Sequence, residues 1–160
     1  MPTYGDRCLP VSEPRREVQR ADAISTQTNY TCCMSGIQRS SAPWLFVRDS
    51  RKAVQFYKDA FGAAETYRHE GREGIVARLS IGSSEFWVSD ESPEHGNFSP
   101  ETLKGTSFRI LLTDPTPDTS FAQACAAGAE VVHAIVEGHG WRVGRVVDPF
   151  GHHWEIGRQI

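Results

Sequence analysis

Two short stretches, "AFGAAE" at 60–65 and "CAAGAE" at 125–130, repeat one plan: the end of a helix, a glycine stop, alanine, glutamate, then a strand. Around each of them the same order of elements recurs, a strand, a helix and three strands. A lone unit of this kind leaves one face of its sheet bare, so two units must pack or curl together. That requirement constrains the fold more than any other feature of the chain.

The first unit opens at "PWLFV" (43–47), whose aromatic and β-branched residues suit a strand. "DSRKAVQFYKDAFGAAE" (49–65) follows as a helix, with Asp49 or Ser50 able to cap its free N–H groups. Val54, Tyr57 and Phe61 recur there at helical spacing, and Gly62 supplies the left-handed stop. Strands are expected at 64–69, 75–81 and 85–90, with "IGSS" as the turn between the last two. A loop rich in Pro, Gly and Ser (91–105) leads to the second unit. There a strand is expected at 106–114 and a helix at 119–130, closed by Gly128. Three strands follow at 130–136, 142–147 and 153–158. "DPFG" (148–151) suits a type I turn, with Asp148 and Pro149 at its first two positions and Gly151 at its fourth, joining the last two strands as a hairpin.

Length and composition bound the rest. At 160 residues the chain forms one domain, or two small modules that share a core. A net charge of −3 argues against a nucleic-acid partner or an anionic membrane surface. The apolar runs are strand-length, short of the ~20 residues that span a bilayer, and no apolar run follows a basic start as in a secretory signal. Cys8, Cys32, Cys33 and Cys125 have neither disulfide-framework nor zinc spacing, so free thiols in a reducing cytoplasm are expected. Residues 1–42 lack apolar periodicity and are expected to form a disordered or loosely docked tail, with 1–33 dispensable. Met34 is a plausible shorter start.

Several motifs in order, "FVRDSRKAVQFYKDAFGA", "RLSIGSSEFWVSDE", the "SPETLKG" loop and "GRVVDPFGHHWEI", resemble the glyoxalase / bleomycin-resistance / dioxygenase superfamily, also called vicinal oxygen chelate. The resemblance is nearest to its PhnB-like branch, which ends in a similar Asp-Pro-Phe-Gly-His-x-Trp hairpin. It runs from about Pro43 to the C-terminus. It implies an α+β fold in which two βαβββ modules, at about 43–90 and 106–158, form a cupped, incomplete β-barrel with helices outside. It also implies a ligand cavity and a homodimer. Chemistry varies across such a superfamily, so the reaction must be argued from the site.

In metal-using members the four ligands come from the first and fourth strands of each module. Carried over, those positions hold Ala42, Trp87 (with Glu85 on the same face, two residues away), Ser107 and Glu155. A catalytic divalent metal needs about three protein donors and an open position, and of the four only Glu155 is a strong donor. His153 lies two residues from Glu155 and shares its face, which keeps a His-plus-Glu pair open. His152 falls in the turn and is expected to face solvent. His69, His95, His133 and His139 are scattered over other elements.

With the ligand positions as the inward reference, alternation places Trp44, Phe46, Arg78 and Trp87 on the cavity side of module one. Val76 and Ser80 join them, with Leu45, Val47, Ile75, Ala77 and Leu79 toward the core. In module two, Ser107, Arg109 and Leu111 face inward, with Phe108, Ile110 and Leu112 in the core and Arg142 near the rim. Aromatic walls with a few placed polar groups suit a small-molecule pocket, and an arginine there can clamp a carboxylate or phosphate. The alternative is that the aromatics plug the cup and that Arg78 and Arg109 form structural ion pairs with Glu155 or another acid. No phosphate-binding glycine loop and no nucleophile elbow is present.

Two functions follow. One is a metal-independent, cofactor-free module that binds a small aromatic or acidic ligand, of the antibiotic-sequestering kind. The other is a glyoxalase- or dioxygenase-type enzyme whose divalent metal uses a non-standard ligand set including His153 and Glu155.

Overall fold

The computed structural model describes residues 39–160, Glu73 excepted. The tail expected over 1–42 therefore lies outside the described residues as far as residue 38. Module one contains β1 (Trp44–Val47), α1 (Ser50–Phe61), β2 (Ala64–Glu70), β3 (Ile75–Ile81) and β4 (Ser84–Asp90). A 3-10 turn (Pro93–His95) and α2 (Pro100–Leu103) organise the connecting loop. Module two contains β5 (Arg109–Thr113), α3 (Pro117–Ala126), β6 (Glu130–Gly138), β7 (Trp141–Val147) and β8 (His153–Gln159). Each module forms a four-stranded sheet, in the orders β1-β4-β3-β2 and β5-β8-β7-β6. The pairs β1–β4 and β5–β8 are parallel and the others antiparallel. The fold is thus two βαβββ modules of α+β type. Among the described residues no strand pairing joins the two sheets, so they do not close into a barrel.

Local chemistry sets the boundaries. The Asp49 carboxylate accepts the Lys52 N–H at 3.0 Å, which satisfies a donor that the first turn of α1 leaves free. Gly62 ends the helix at φ 62°, its N–H donating to the Lys58 carbonyl at 3.0 Å. Helix α3 starts two residues before the expected 119. Pro117 fits the first turn, where its missing N–H costs nothing, and the Asp114 carboxylate gathers the Thr116 N–H and the Ser120 hydroxyl, each at 2.6 Å. Strand β5 begins at Arg109 and not at 106, because the Thr106 hydroxyl turns back to donate to the Phe108 carbonyl at 3.1 Å. Phe108, expected in the core, is consequently 44% exposed. No described helix is long and apolar enough to cross a membrane.

The core lies on the helix side of both sheets. Leu45, Val47, Ile75, Ala77, Leu79 and Val88 are buried against α1, and Val146, Trp154 and Ile156 are buried in module two. Aromatic rings join the modules: Trp154 lies 4.4 Å from Phe61 and 5.9 Å from Phe86, centroid to centroid, and Phe56 lies 6.1 Å from Phe150. In their midst sits the buried carboxylate of Asp148. Its Oδ1 accepts the N–H groups of Phe150 and His152, both at 2.9 Å, while its Oδ2 accepts the Tyr57 hydroxyl at 2.8 Å and the Trp154 indole N–H at 3.0 Å. The "DPFG" turn forms as expected, with the Gly151 N–H on the Asp148 carbonyl at 3.0 Å. Its aspartate does more than make the turn, since Tyr57 belongs to α1 of the other module.

Gly144 marks a second close approach. A Cβ there would lie 2.6 Å from a Phe121 ring carbon and 2.7 Å from Ile135 Cγ1, on the α3 side of β7. Gly144→Ala is expected to cost about 1–3 kcal/mol through overpacking, seen as a lower urea midpoint. An unchanged midpoint would mean that α3 shifts freely over its sheet.

Candidate functional site

Strand alternation leaves the faces away from the helices open, and the residues assigned to a cavity gather there in two separate sets. On sheet one, the Trp44 ring stacks on Phe46 at 6.0 Å and on Trp87 at 5.4 Å, while Tyr67 meets Trp87 edge-on at 5.6 Å. The Arg78 guanidinium lies 5.7 Å from the Trp87 ring centroid, in cation–π range. Its Nε donates to the Thr66 hydroxyl at 3.0 Å and comes within 3.6 Å of Glu85. The Trp44 indole N–H donates to Ser89 Oγ at 3.0 Å. Trp44 and Tyr67 remain nearly half exposed, at 47% and 46%. These rings therefore form an aromatic plate on the open face and do not plug a closed interior.

On sheet two, Glu155 is the centre. Its Oε1 accepts Arg109 Nη1 at 2.7 Å and Arg145 Nη2 at 3.1 Å. The register explains the meeting: Arg145 is directly opposite Glu155 on β7, and Leu111 is its neighbour on β5. His153 lies beside Arg109 on the same face. A recess of about 240 Å³ is lined by Thr106, Ser107, Phe108, Arg109, Arg145 and His153. A larger cleft of about 550 Å³ runs between the β3–β4 turn and β5, past Trp154.

Of the residues named from the sequence, Trp44, Phe46, Arg78 and Trp87 form the first set, and Ser107, Arg109 and Glu155 belong to the second. Arg142 does not join them. It has the parity of Gly144 and Val146, which turn toward α3, and its guanidinium is held by Asp118 at 2.5 Å and Glu137 at 3.2 Å. Arg145 takes the place assigned to it. That residue was readable in principle: a hairpin closing on "DPFG" pairs Val147 with His153, which sets Arg145 opposite Glu155.

His152 also departs from expectation. It is buried, with 3% of its surface exposed, and its ring Nε2 donates to the Phe46 carbonyl of β1 at 3.1 Å. Nδ1 is buried without a partner among the described residues. Burial holds its pKa below the ordinary 6.5, against the pull of the nearby Asp148 charge and the Phe46 carbonyl. The folded state thus disfavours imidazolium, so His152 contributes fully above pH ~6.5 and loses that contribution as pH falls toward the depressed folded value. Folding stability is expected to drop over that window in the native chain and to drop less in His152→Gln. Parallel urea titrations between pH 5 and 7.5 would measure this, and equal slopes would refute it.

Side chains that can hold a cation are few on these faces. Ala42 is exposed ahead of β1, Trp87 lies in the aromatic plate, Glu85 faces Arg78, and Ser107 precedes β5. Among the described residues no three His, Cys, Asp or Glu side chains converge as a metal site. Glu155, the remaining anionic donor, already carries two guanidinium groups. His153, on the same face, is the one imidazole beside it on β8.

Two βαβββ modules on one shared core, each presenting an open sheet face, define the paired-module class of α+β protein. The chain belongs to the Glyoxalase/Bleomycin resistance protein/Dioxygenase superfamily, whose family model matches residues 37–156. An uncharacterized protein of Mycobacterium bovis, Mb0911c, is 37% identical over 131 residues, covering 78% of this chain and 86% of that protein. Among solved structures, TioX from Micromonospora sp. ML1 superposes with a TM-score of 0.62 at 25% identity, over 76% of this chain and all of TioX. The Arabidopsis thaliana gene product At5g48480 superposes with a TM-score of 0.57 at 29% identity, over 74% of this chain and 98% of its own.

Proposed function

We propose that the chain is a metal-independent member of its superfamily that binds a small aromatic or acidic molecule, of the kind used to sequester antibiotics, and that it works as a homodimer. The state of Glu155 carries this reading. A carboxylate shared by two arginines has little anionic character left for a cation, and each guanidinium would repel one. The same arginines suit an anionic ligand. The half-exposed plate of Trp44, Tyr67 and Trp87 suits a flat ring. An open apolar face of this sort is also what a second copy would cover. Family membership supports the small-molecule reading in its general form.

Elemental analysis of untagged protein, joined to a thermal-shift screen of aromatic acids, phosphonates and common antibiotics, tests the proposal. Substoichiometric metal is expected, together with hits whose affinity falls about tenfold, or 1.4 kcal/mol, in Trp87→Ala for flat rings held by the plate or in Arg109→Ala for acids held on sheet two. Stoichiometric nickel, zinc, iron or manganese that is lost in Glu155→Gln would favour instead an enzyme using His153, which shares the face of Glu155, as a second ligand. Hits indifferent to both substitutions would remove these side chains from the site.

A further inference from the structure

The charged set on sheet two holds two cations against one anion, and its donors are incompletely used. Both guanidinium groups converge on one oxygen of Glu155, Oε1. No protein donor among the described residues reaches the other oxygen, Oε2. Arg145 Nε is buried with no acceptor among the described residues, which is costly unless something supplies one. Arg109, by contrast, is half exposed and has donors to spare. Next to these groups lies the 240 Å³ recess, with Thr106 and Ser107 on its wall. That volume suits the head group of a ligand better than a whole one. On the same open face a second recess, of about 260 Å³, is lined by Leu111, Trp141 and Val143 and is bordered by Glu155.

We propose that Arg109 and Arg145 seat a single carboxylate of the ligand, that Glu155 accepts a hydrogen bond from an N–H or O–H group beside that carboxylate, and that the ligand's apolar or aromatic remainder lies over Leu111, Trp141 and Val143. This rests on the metal-independent reading above and narrows it to monocarboxylates that carry a neighbouring donor. One added negative charge balances the second arginine, whereas a dianion would overshoot and meet Glu155 as a like charge. A carboxylate oxygen supplies the acceptor that Arg145 Nε lacks. The free oxygen of Glu155 selects for the donor, since a ligand without one desolvates that oxygen and returns nothing. Glu155 thereby acts as a specificity residue that opposes simple acids.

Hippurate, its methyl ester and 3-benzoylpropionate form the test set. The ester removes the charge, and 3-benzoylpropionate replaces the N–H of hippurate with CH2 at nearly constant shape. Titrations by calorimetry, with the Arg Nε–H signals followed by NMR, are expected to show hippurate binding at least about tenfold tighter than either analogue. Arg145→Ala should abolish the preference for hippurate over its ester, and Arg145→Lys, which keeps the charge without Nε, should recover part of it. Glu155→Gln removes the opposing charge, and 3-benzoylpropionate should then bind about tenfold more tightly. The proposal fails if acid and ester bind equally, if Glu155→Gln weakens both acids, or if neither acid perturbs the protein. Equal binding of acid and ester that is lost in Trp87→Ala would remove the carboxylate seat yet leave aromatic recognition standing. Stoichiometric metal in the untagged protein would overturn both.

Discussion

Asp148→Ala is expected to remove about 4 kcal/mol of folding stability, since it strands several buried donors at once. The carboxylate accepts four hydrogen bonds, two from the backbone of its own turn and two from Tyr57 and Trp154. Removing it leaves the phenol and the indole N–H inside an aromatic core, where water cannot replace the lost acceptor. Burial, the Asp148 charge and the shared hydrogen bond all hold the Tyr57 pKa well above its ordinary 10.0, so the phenol remains a donor across the accessible pH range. Tyr57→Phe should cost only about 1–2 kcal/mol, because the carboxylate keeps three donors. Urea unfolding followed by tryptophan fluorescence reads both values. An Asp148→Ala loss no larger than that of Tyr57→Phe would show that the turn and the core are held by packing alone.

Trp154→Ala is expected to cost about 3–5 kcal/mol, through lost burial and the cavity left behind. Trp154 is 1% exposed and, from β8 of module two, touches three rings of module one, Phe61, Tyr57 and Phe86. Trp154→Phe separates the two contributions. It keeps most ring contacts and loses the indole N–H to Asp148, so its cost should be nearer 1–2 kcal/mol. Tyr57 and Trp154 share one oxygen of Asp148, and the double variant Tyr57→Phe with Trp154→Phe should therefore deviate from additivity by more than about 0.5 kcal/mol. Strict additivity would mean that the two donors do not sense each other.

Local signals were legible in the sequence and long-range ones were not. Asp49, Gly62 and the "DPFG" turn act within a few residues, and the structure uses all three for the work their chemistry suggests. The period of two in β1 and β3 correctly divided Leu45, Val47, Ile75, Ala77 and Leu79 from Trp44, Phe46 and Arg78, because alternation is a property of the strand itself. The failures have a common cause. His152 looks like a solvent-facing turn residue until the Phe46 carbonyl, 106 positions away, arrives to receive its ring nitrogen. Phe108 looks like a core residue until Thr106 delays the start of β5. Arg142 and Arg145 are chemically alike, and which one faces Glu155 depends on pairing across the hairpin. That pairing follows from the turn once the turn is used to count register.

The alternation of side chains along β1, β4, β5 and β8 has an evolutionary consequence. Neighbouring letters in these strands answer to different selective demands: Leu45 and Ile156 must fill the interior, while Trp44 and Glu155 meet whatever approaches from outside. Every second residue can change to suit a new molecule while the intervening ones keep the chain folded. Such a scaffold can diversify quickly at its outer surface without risking collapse.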